Sequence, residues 1–344
     1  MPNETLTKAL DRLAAREDLS AAEASAVLHE VMEGRASEVQ TGAFLMALRT
    51  KGETVDEVVG LAKAMRELAT CVEVDRDELL DTAGTGGGRP TFNVSTTAAF
   101  IAAGAGCALA KHGNRSATGL CGSADVLEAL GARIDLEPAA VAECIESVGF
   151  GFMFAPQHHR AMKHVVPVRK ELGVRTVFNF LGPLTNPAGA TRQLIGVSDP
   201  AHLETIAAAT AALGGERALV VSSEDGLDEV SVSGATAAVE VSGAGTRRLT
   251  LRPEDFGVER FPTASLGPGT PERNAEITRG VLSGSDGAER AVAVLNAGAA
   301  VYVAGGAESI EAGVRSAERA IDSGAASEAL VRFVERTNQL AGPA

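Results

Sequence analysis

The chain has 344 residues, enough for two domains, and its 45% hydrophobic content supports a substantial core. A formal net charge of −14 argues against a general nucleic-acid binder, which needs a basic surface. Aromatic content of 3%, with no Trp and one Tyr, weakens any single-strand stacking role as well.

Met1-Pro2-Asn3-Glu4 lacks the basic and apolar regions that open a secretory signal. The longest apolar runs, residues 98–110 and 291–307, fall short of the roughly 20 residues a bilayer span needs, and Asn296 interrupts the second. Cys71, Cys107, Cys121 and Cys144 are widely spaced and form no C-x-x-C pair, as expected of reduced thiols. A cytoplasmic protein without membrane contact is expected.

The first seventy or so residues read as helix. Leu6, Leu10 and Leu13 fall at i, i+4 and i+7, and three capping boxes follow: Ser20/Glu23, Ser37/Gln40 and Thr54/Glu57. Gly34 and Gly52 stand where helices should stop. No catalytic polar cluster lies here, so scaffold and oligomer contact are the expected roles.

From residue 78 the texture changes to strand–helix alternation. Strands are expected at 79–80, 107–110, 193–197, 218–221 and 239–241. Helices are expected at 98–103, 124–130, 139–148, 202–213, 275–282, 291–304 and 327–340, with a further helical insert at 159–172 and an irregular Pro/Gly segment at 176–191. This alternation predicts an α/β fold with a mainly parallel sheet. The expected division is a small all-helical domain over 1–72, joined by part of 160–192, and a large α/β domain over 73–344, with a cleft between them.

Four clusters carry chemistry. In Asp81-Thr82-Ala83-Gly84-Thr85-Gly86-Gly87-Gly88, four glycines occupy five residues, and Asn93, Ser95, Thr96 and Thr97 offer polar caps before an apolar helix near Ala98. Strand, glycine turn and capped helix form a phosphate cradle, because bare N–H groups and the positive helix end favour an anion. The loop is neither a Walker A nor a dinucleotide fingerprint, since Arg89 stands where the third Gly belongs. Lys111-His112-Gly113-Asn114-Arg115-Ser116 follows a strand and offers two cations, an imidazole and an amide to a ligand crevice. Asp228-Glu229 on a turn is either a Mg²⁺ pair or ordinary acidic surface. Near His158-His159-Arg160, Arg169 offers a planar fork for a carboxylate. Gly182-Pro183-Leu184-Thr185-Asn186-Pro187 fixes a rigid loop, as hinge or as pocket lining.

Taken together, the Gly84–Thr97 stretch, Lys111 to Ser116, Gly122-Ser123-Ala124-Asp125, Arg169, residues 175–187 and Asp228-Glu229 closely resemble the anthranilate phosphoribosyltransferases over most of the chain. The resemblance implies a nucleoside phosphorylase/phosphoribosyltransferase-like fold that dimerises through its helical domain. It implies transfer of phosphoribose from PRPP to the amine of anthranilate, with Mg²⁺. Gly84, Thr85, Gly86, Gly87, Thr91, Asn93, Ser95, Thr96, Lys111 and Thr118 would then hold PRPP. Gly84, Asn114, His112, His159 and Arg169 would meet anthranilate, with His112 as a weak base. Ser95, Asp228 and Glu229 would bind metal. The family usually reads Gly-Gly-Asp-Gly in its loop; here Gly86-Gly87-Gly88-Arg89-Pro90-Thr91 is one residue shorter and lacks the Asp. Related pyrimidine nucleoside phosphorylases match these motifs poorly, and a nucleic-acid-binding relative of this fold would need a basic face.

Overall fold

The computed structural model describes residues 2–116 and 119–341. Four helices open the chain: α1 (Glu4–Ala14), α2 (Ala21–Met32), α3 (Glu38–Lys51) and α4 (Val55–Glu67). Ser20 and Thr54 close reciprocal capping boxes with Glu23 and Glu57. The third expected box does not close. Ser37 accepts the Gln40 N–H, but the Gln40 amide is taken up by Asn3, accepting its N–H at 2.9 Å and donating to its carbonyl at 3.1 Å. Glu57 is fully buried and accepts from the Leu19 N–H (2.9 Å), the Thr54 N–H (2.8 Å) and Lys51 Nζ (3.0 Å). One carboxylate thus joins the start of α2, the end of α3 and the start of α4.

The rest of the chain builds one seven-stranded sheet: β1 (Leu79–Gly84), β2 (Ala108–Gly113), β3 (Phe150–Phe154), β4 (Arg192–Gly196), β5 (Arg217–Ser223), β6 (Thr236–Ser242) and β7 (Gly245–Leu251). The order is β3-β2-β1-β4-β5-β6-β7; the first five strands are parallel and the last two antiparallel. Eleven further α-helices are α5 (Val94–Gly104), α6 (Ser123–Ala129), α7 (Pro138–Val148), α8 (Ala155–His158), α9 (Val166–Leu172), α10 (Phe178–Leu184), α11 (Leu203–Ala212), α12 (Pro271–Leu282), α13 (Ala288–Val303), α14 (Ile310–Asp322) and α15 (Ala325–Leu340) among the described residues. None is long and apolar enough to cross a membrane.

Alternate strand residues feed two cores, as the pleat requires. Leu194, Leu219 and Val221 face one side, where α5, α13 and α15 pack and Phe100 stacks on Phe150 at 4.2 Å between ring centres. Ile195, Ala218 and Val220 face the other, and their core runs on through α11 and α10 into Leu61 of α4 and Leu48 of α3. Arg66 of α4 fixes this junction, donating to the Leu184 carbonyl at 2.8 Å and the Leu213 carbonyl at 3.0 Å. The 3₁₀ turn Arg160–His164 packs on α2, and α9 packs on α3.

Several expected elements are redrawn. Strands β1 and β2 run on through Gly84 and Gly113, so Asp81, Thr82, Lys111 and His112 lie inside strands. Helix α5 begins at Val94, so Ser95, Thr96 and Thr97 form its first turn, and Asn93 makes no side-chain cap bond. The insert 159–172 is broken into the 3₁₀ turn and α9 because Pro167 starts a new helix, so His159 and Lys163 do not share a helical face. Segment 176–191 contains α10, with Pro183 tolerated in its last turn. Strands β3 and β7 and helix α14 lie outside the sequence expectations.

Candidate active site

Strand β1 is flanked by β2 on one side and β4 on the other, although β4 comes much later in the chain. Such a reversal opens a crevice at the carboxyl ends of the strands. Gly84 and Gly196 are paired there. Gly196 is required by a close approach: a Cβ on it would lie 1.7 Å from the Asp228 carbonyl oxygen. The loop after β5 can therefore fold down over the strand ends.

The glycine-rich loop docks onto both neighbours. Thr85 donates its N–H to the Gly196 carbonyl at 2.8 Å, Gly86 donates to Asp228 Oδ2 at 3.2 Å, and Arg89 donates to the Gly226 carbonyl at 2.8 Å. Gly86 and Gly87 have φ of 64° and 74°, a region that disfavours other residues. Gly84, Gly86 and Gly87 are exposed. Directly behind, α5 points its N-terminus into the crevice. The Ser95 and Thr96 N–H groups have no acceptor among the described residues, and the buried Thr96 hydroxyl has none either. This is an anion cradle made of backbone.

Ser95, Gly84, Asp228 and Glu229 line one cavity with Thr82 and Asn296. Behind this wall Lys111 of β2 is fully buried, donating to the Thr82 carbonyl and, at 3.4 Å, to Ser95 Oγ, two residues that line the cavity. Burial lowers its pKa to about 8, against the pull of Asp81 and Glu229. Burial raises the Asp228 pKa, and raises that of Glu229 well above the usual carboxylate range, with Asp228 adding to it. Glu229 Oε2 is buried without a hydrogen-bond partner among the described residues. Asn296 of α13 holds the next residue, accepting from the Val230 N–H and donating to its carbonyl, each at 2.9 Å.

Beneath the crevice lies a buried strut. Asn186 Nδ2 donates to Asp81 Oδ2 at 2.8 Å and to the Ala110 carbonyl at 2.7 Å, while the His112 N–H donates to Asp81 Oδ1 at 3.2 Å. His112 Nδ1–H donates to the Gly182 carbonyl at 3.2 Å, which leaves Nε2 as the acceptor nitrogen, with no partner among the described residues. The His159 ring lies 5.1 Å from that of His112. Burial lowers the two pKa values, to about 3 for His112 and about 4 for His159, so both rings are neutral near pH 7. The Gly-Pro-Leu-Thr-Asn-Pro segment is therefore both a lobe connector and a support for His112.

Not every expected residue converges. Thr91 donates its hydroxyl to the Phe92 carbonyl, and Asn93 bonds to the Cys121 carbonyl and Asn274. Asn114 is exposed, its side chain accepting the Arg115 N–H at 2.7 Å. Arg169 lies 5.5 Å above the Phe178 ring, and burial lowers its pKa. No hydrogen bond among the described residues ties Asn114 or Arg169 to the Lys111 cluster. Thr118 lies outside the described residues. Sequence reading gave no role to Asp81, Arg175, Ser198 or Asn296. The one available signal was Asn296 standing alone in the apolar run 291–307.

Two family models cover the chain: the helical bundle domain of a glycosyl transferase family at residues 7–69 and its a/b domain at 76–327. Fold and site thus define a glycosyl transferase of this two-part type. The Rubrobacter xylanophilus anthranilate phosphoribosyltransferase is 56% identical over 98% of this chain and 99% of its own. The Thermus thermophilus enzyme structure superposes with a TM-score of 0.91 at 45% identity, over 96% of this chain and 99% of that one. The Saccharomyces cerevisiae enzyme in complex with PRPP and Mg gives 0.90 at 28% identity, over 98% and 99%. The chain belongs to the anthranilate phosphoribosyltransferase family.

Proposed function

We infer that the crevice transfers the phosphoribosyl group of PRPP to the amine of anthranilate, giving N-(5-phosphoribosyl)anthranilate and diphosphate, a step of tryptophan biosynthesis. The observation that carries this reading is the meeting, at one strand reversal, of the glycine loop, the open N-terminus of α5, buried Lys111 and the Asp228–Glu229 pair.

The glycine loop, the Ser95 and Thr96 amides and Lys111 hold the phosphoryl oxygens; Thr91 and Asn93 flank them. The acidic pair suits Mg²⁺. Its donors are hard oxygens, and Glu229 Oε2 is buried without a partner among the described residues. Asp228 and Glu229, with Ser95 beside them, would hold Mg²⁺, which when bound neutralises charge on the leaving diphosphate. Lys111 stabilises the same charge from the opposite strand. The anomeric bond breaks as positive charge grows on the ribose, as in other glycosyl transfers.

The aryl amine is neutral and needs placement. His112, His159, Asn114 and Gly84 line its approach, and Arg169 faces its carboxylate. His112 Nε2, unprotonated and without a partner among the described residues, takes the proton released after attack, which a weak base suffices to do because a protonated aryl amine is strongly acidic. The helical lobe comprises 1–72 with part of 160–192, the α/β lobe comprises 73–344, and their approach excludes water. Two chains pair through the helical lobe, and the reaction is cytoplasmic, in keeping with four free thiols.

The test is loss of anthranilate fluorescence in the presence of PRPP and Mg²⁺, with thymidine and phosphate as the control reaction. Folded protein that consumes no anthranilate under these conditions overturns the reading.

A further inference from the structure

Arg175 occupies a place that the reading above leaves without a task. It precedes α10 and sends its side chain under the glycine-rich loop. Nη1 donates to Ser198 Oγ at 2.9 Å, and Ser198 Oγ donates to the Gly86 carbonyl at 2.9 Å. A Cβ on Gly87 would lie 2.3 Å from Nη1 and 3.6 Å from Nη2, so the guanidinium sits against the bare backbone of the loop. Nη2 is buried and finds no acceptor among the described residues. A guanidinium is always charged, and leaving a charged donor out of water without an acceptor costs more than leaving a neutral one. The loop above it carries Gly88 and Arg89, so it brings no carboxylate of its own. Asp228 feels the positive charge, which opposes the rise of its pKa, but no hydrogen bond joins the two side chains.

The Arg175 carbonyl, meanwhile, accepts from Arg49 Nη1 of α3 at 2.8 Å. The same residue therefore touches the helical bundle through its backbone and the phosphate loop through its side chain.

We propose that Arg175 is a phosphate-binding residue of the PRPP site, its Nη2 donating to a phosphoryl oxygen held by the Gly86–Gly87 backbone. The proposal rests on the PRPP reading. It deepens that reading by giving Arg175, the guanidinium packed against the loop, a ligand contact. A planar fork braced on Ser198 presents Nη2 in a fixed direction, which a lysine at this position does not reproduce.

The test compares the full-length parent with R175A and R175K, each checked for folding by circular dichroism. Affinities for PRPP, inorganic diphosphate and ribose 5-phosphate are measured by calorimetry with Mg²⁺, alongside the KM of each substrate. R175A is expected to weaken PRPP at least tenfold, with the anthranilate KM within twofold of the parent; R175K recovers only part. A matching loss for inorganic diphosphate assigns the contact to the diphosphate end, and one for ribose 5-phosphate to the other end. If folded R175A binds PRPP within twofold of the parent, or loses both substrates equally, the assignment is wrong. Should R175A not fold, R175K decides, with at least a threefold loss required. A parent that binds no PRPP at all defeats the functional reading instead, so the two failures are distinct.

Discussion

Asp228 and Glu229 are neighbours in sequence and share a buried wall of the crevice, so their charges work against each other until a cation arrives. The double variant D228N/E229Q is expected to abolish magnesium-dependent turnover while raising the melting temperature of the metal-free protein, because it removes two poorly compensated carboxylates. Activity that survives would put the metal elsewhere; a lower melting temperature would mean that bonds such as Gly86 N–H to Asp228 already compensate the pair. Lys111 gives a pH signature. Its folded pKa of about 8 lies below the ordinary 10.5, so burial favours the neutral amine. The unfolded chain then binds more protons between these values, and stability contributed here rises with pH from about 8 to 10.5. PRPP affinity runs the other way, since it needs the ammonium. The PRPP dissociation constant should climb as pH passes about 8, and K111R should remove that inflection; a flat profile in the parent removes Lys111 from the phosphate site. The polar residues of this chemistry were legible because they cluster in short motifs. Asp81 and Asn186 stand in two of those motifs, but nothing in the chain links the pair: they lie 105 positions apart and meet at 2.8 Å only in the folded structure.

At the scale of elements, the helical start was read well because its caps are local. Two of three capping boxes close, and the third fails for a tertiary reason, since docking of the first residues on α3 captures Gln40. Strand β3 was invisible because Phe150-Gly151-Phe152-Met153 is buried on both faces and shows no alternation. Strand β7 was missed for the opposite reason: its Arg247 and Arg248 are exposed at the sheet edge and look like loop. The Glu57 junction makes a prediction at this scale. E57A strands buried Lys51 beside a single remaining carboxylate, Asp18, and exposes two unpaired N–H groups. It should cost about 3 kcal/mol or more in denaturant unfolding, in line with broken buried pairs. A loss under about 1 kcal/mol would mean that Asp18 alone compensates Lys51.

For the whole molecule, the pairing of chains turns on the outer face of the helical lobe. Val39, 81% exposed on α3, is the most exposed large apolar side chain among the described residues. If the helical lobe mediates a dimer, the parent should sediment at twice the 35.2 kDa chain mass and V39D should shift it toward one chain. A parent that sediments as a single chain removes the pairing. The two-lobe plan was readable from the change of texture near residue 78, but the depth of the join was not. The apolar interior below the sheet runs unbroken from Ile195 and Val220 to Leu61 and Leu48, and Arg66 stitches across it. Neither half has a finished underside. Cutting the gene at the junction would yield two sticky remnants rather than two transferable modules, and natural recombination has to move this catalyst as one piece.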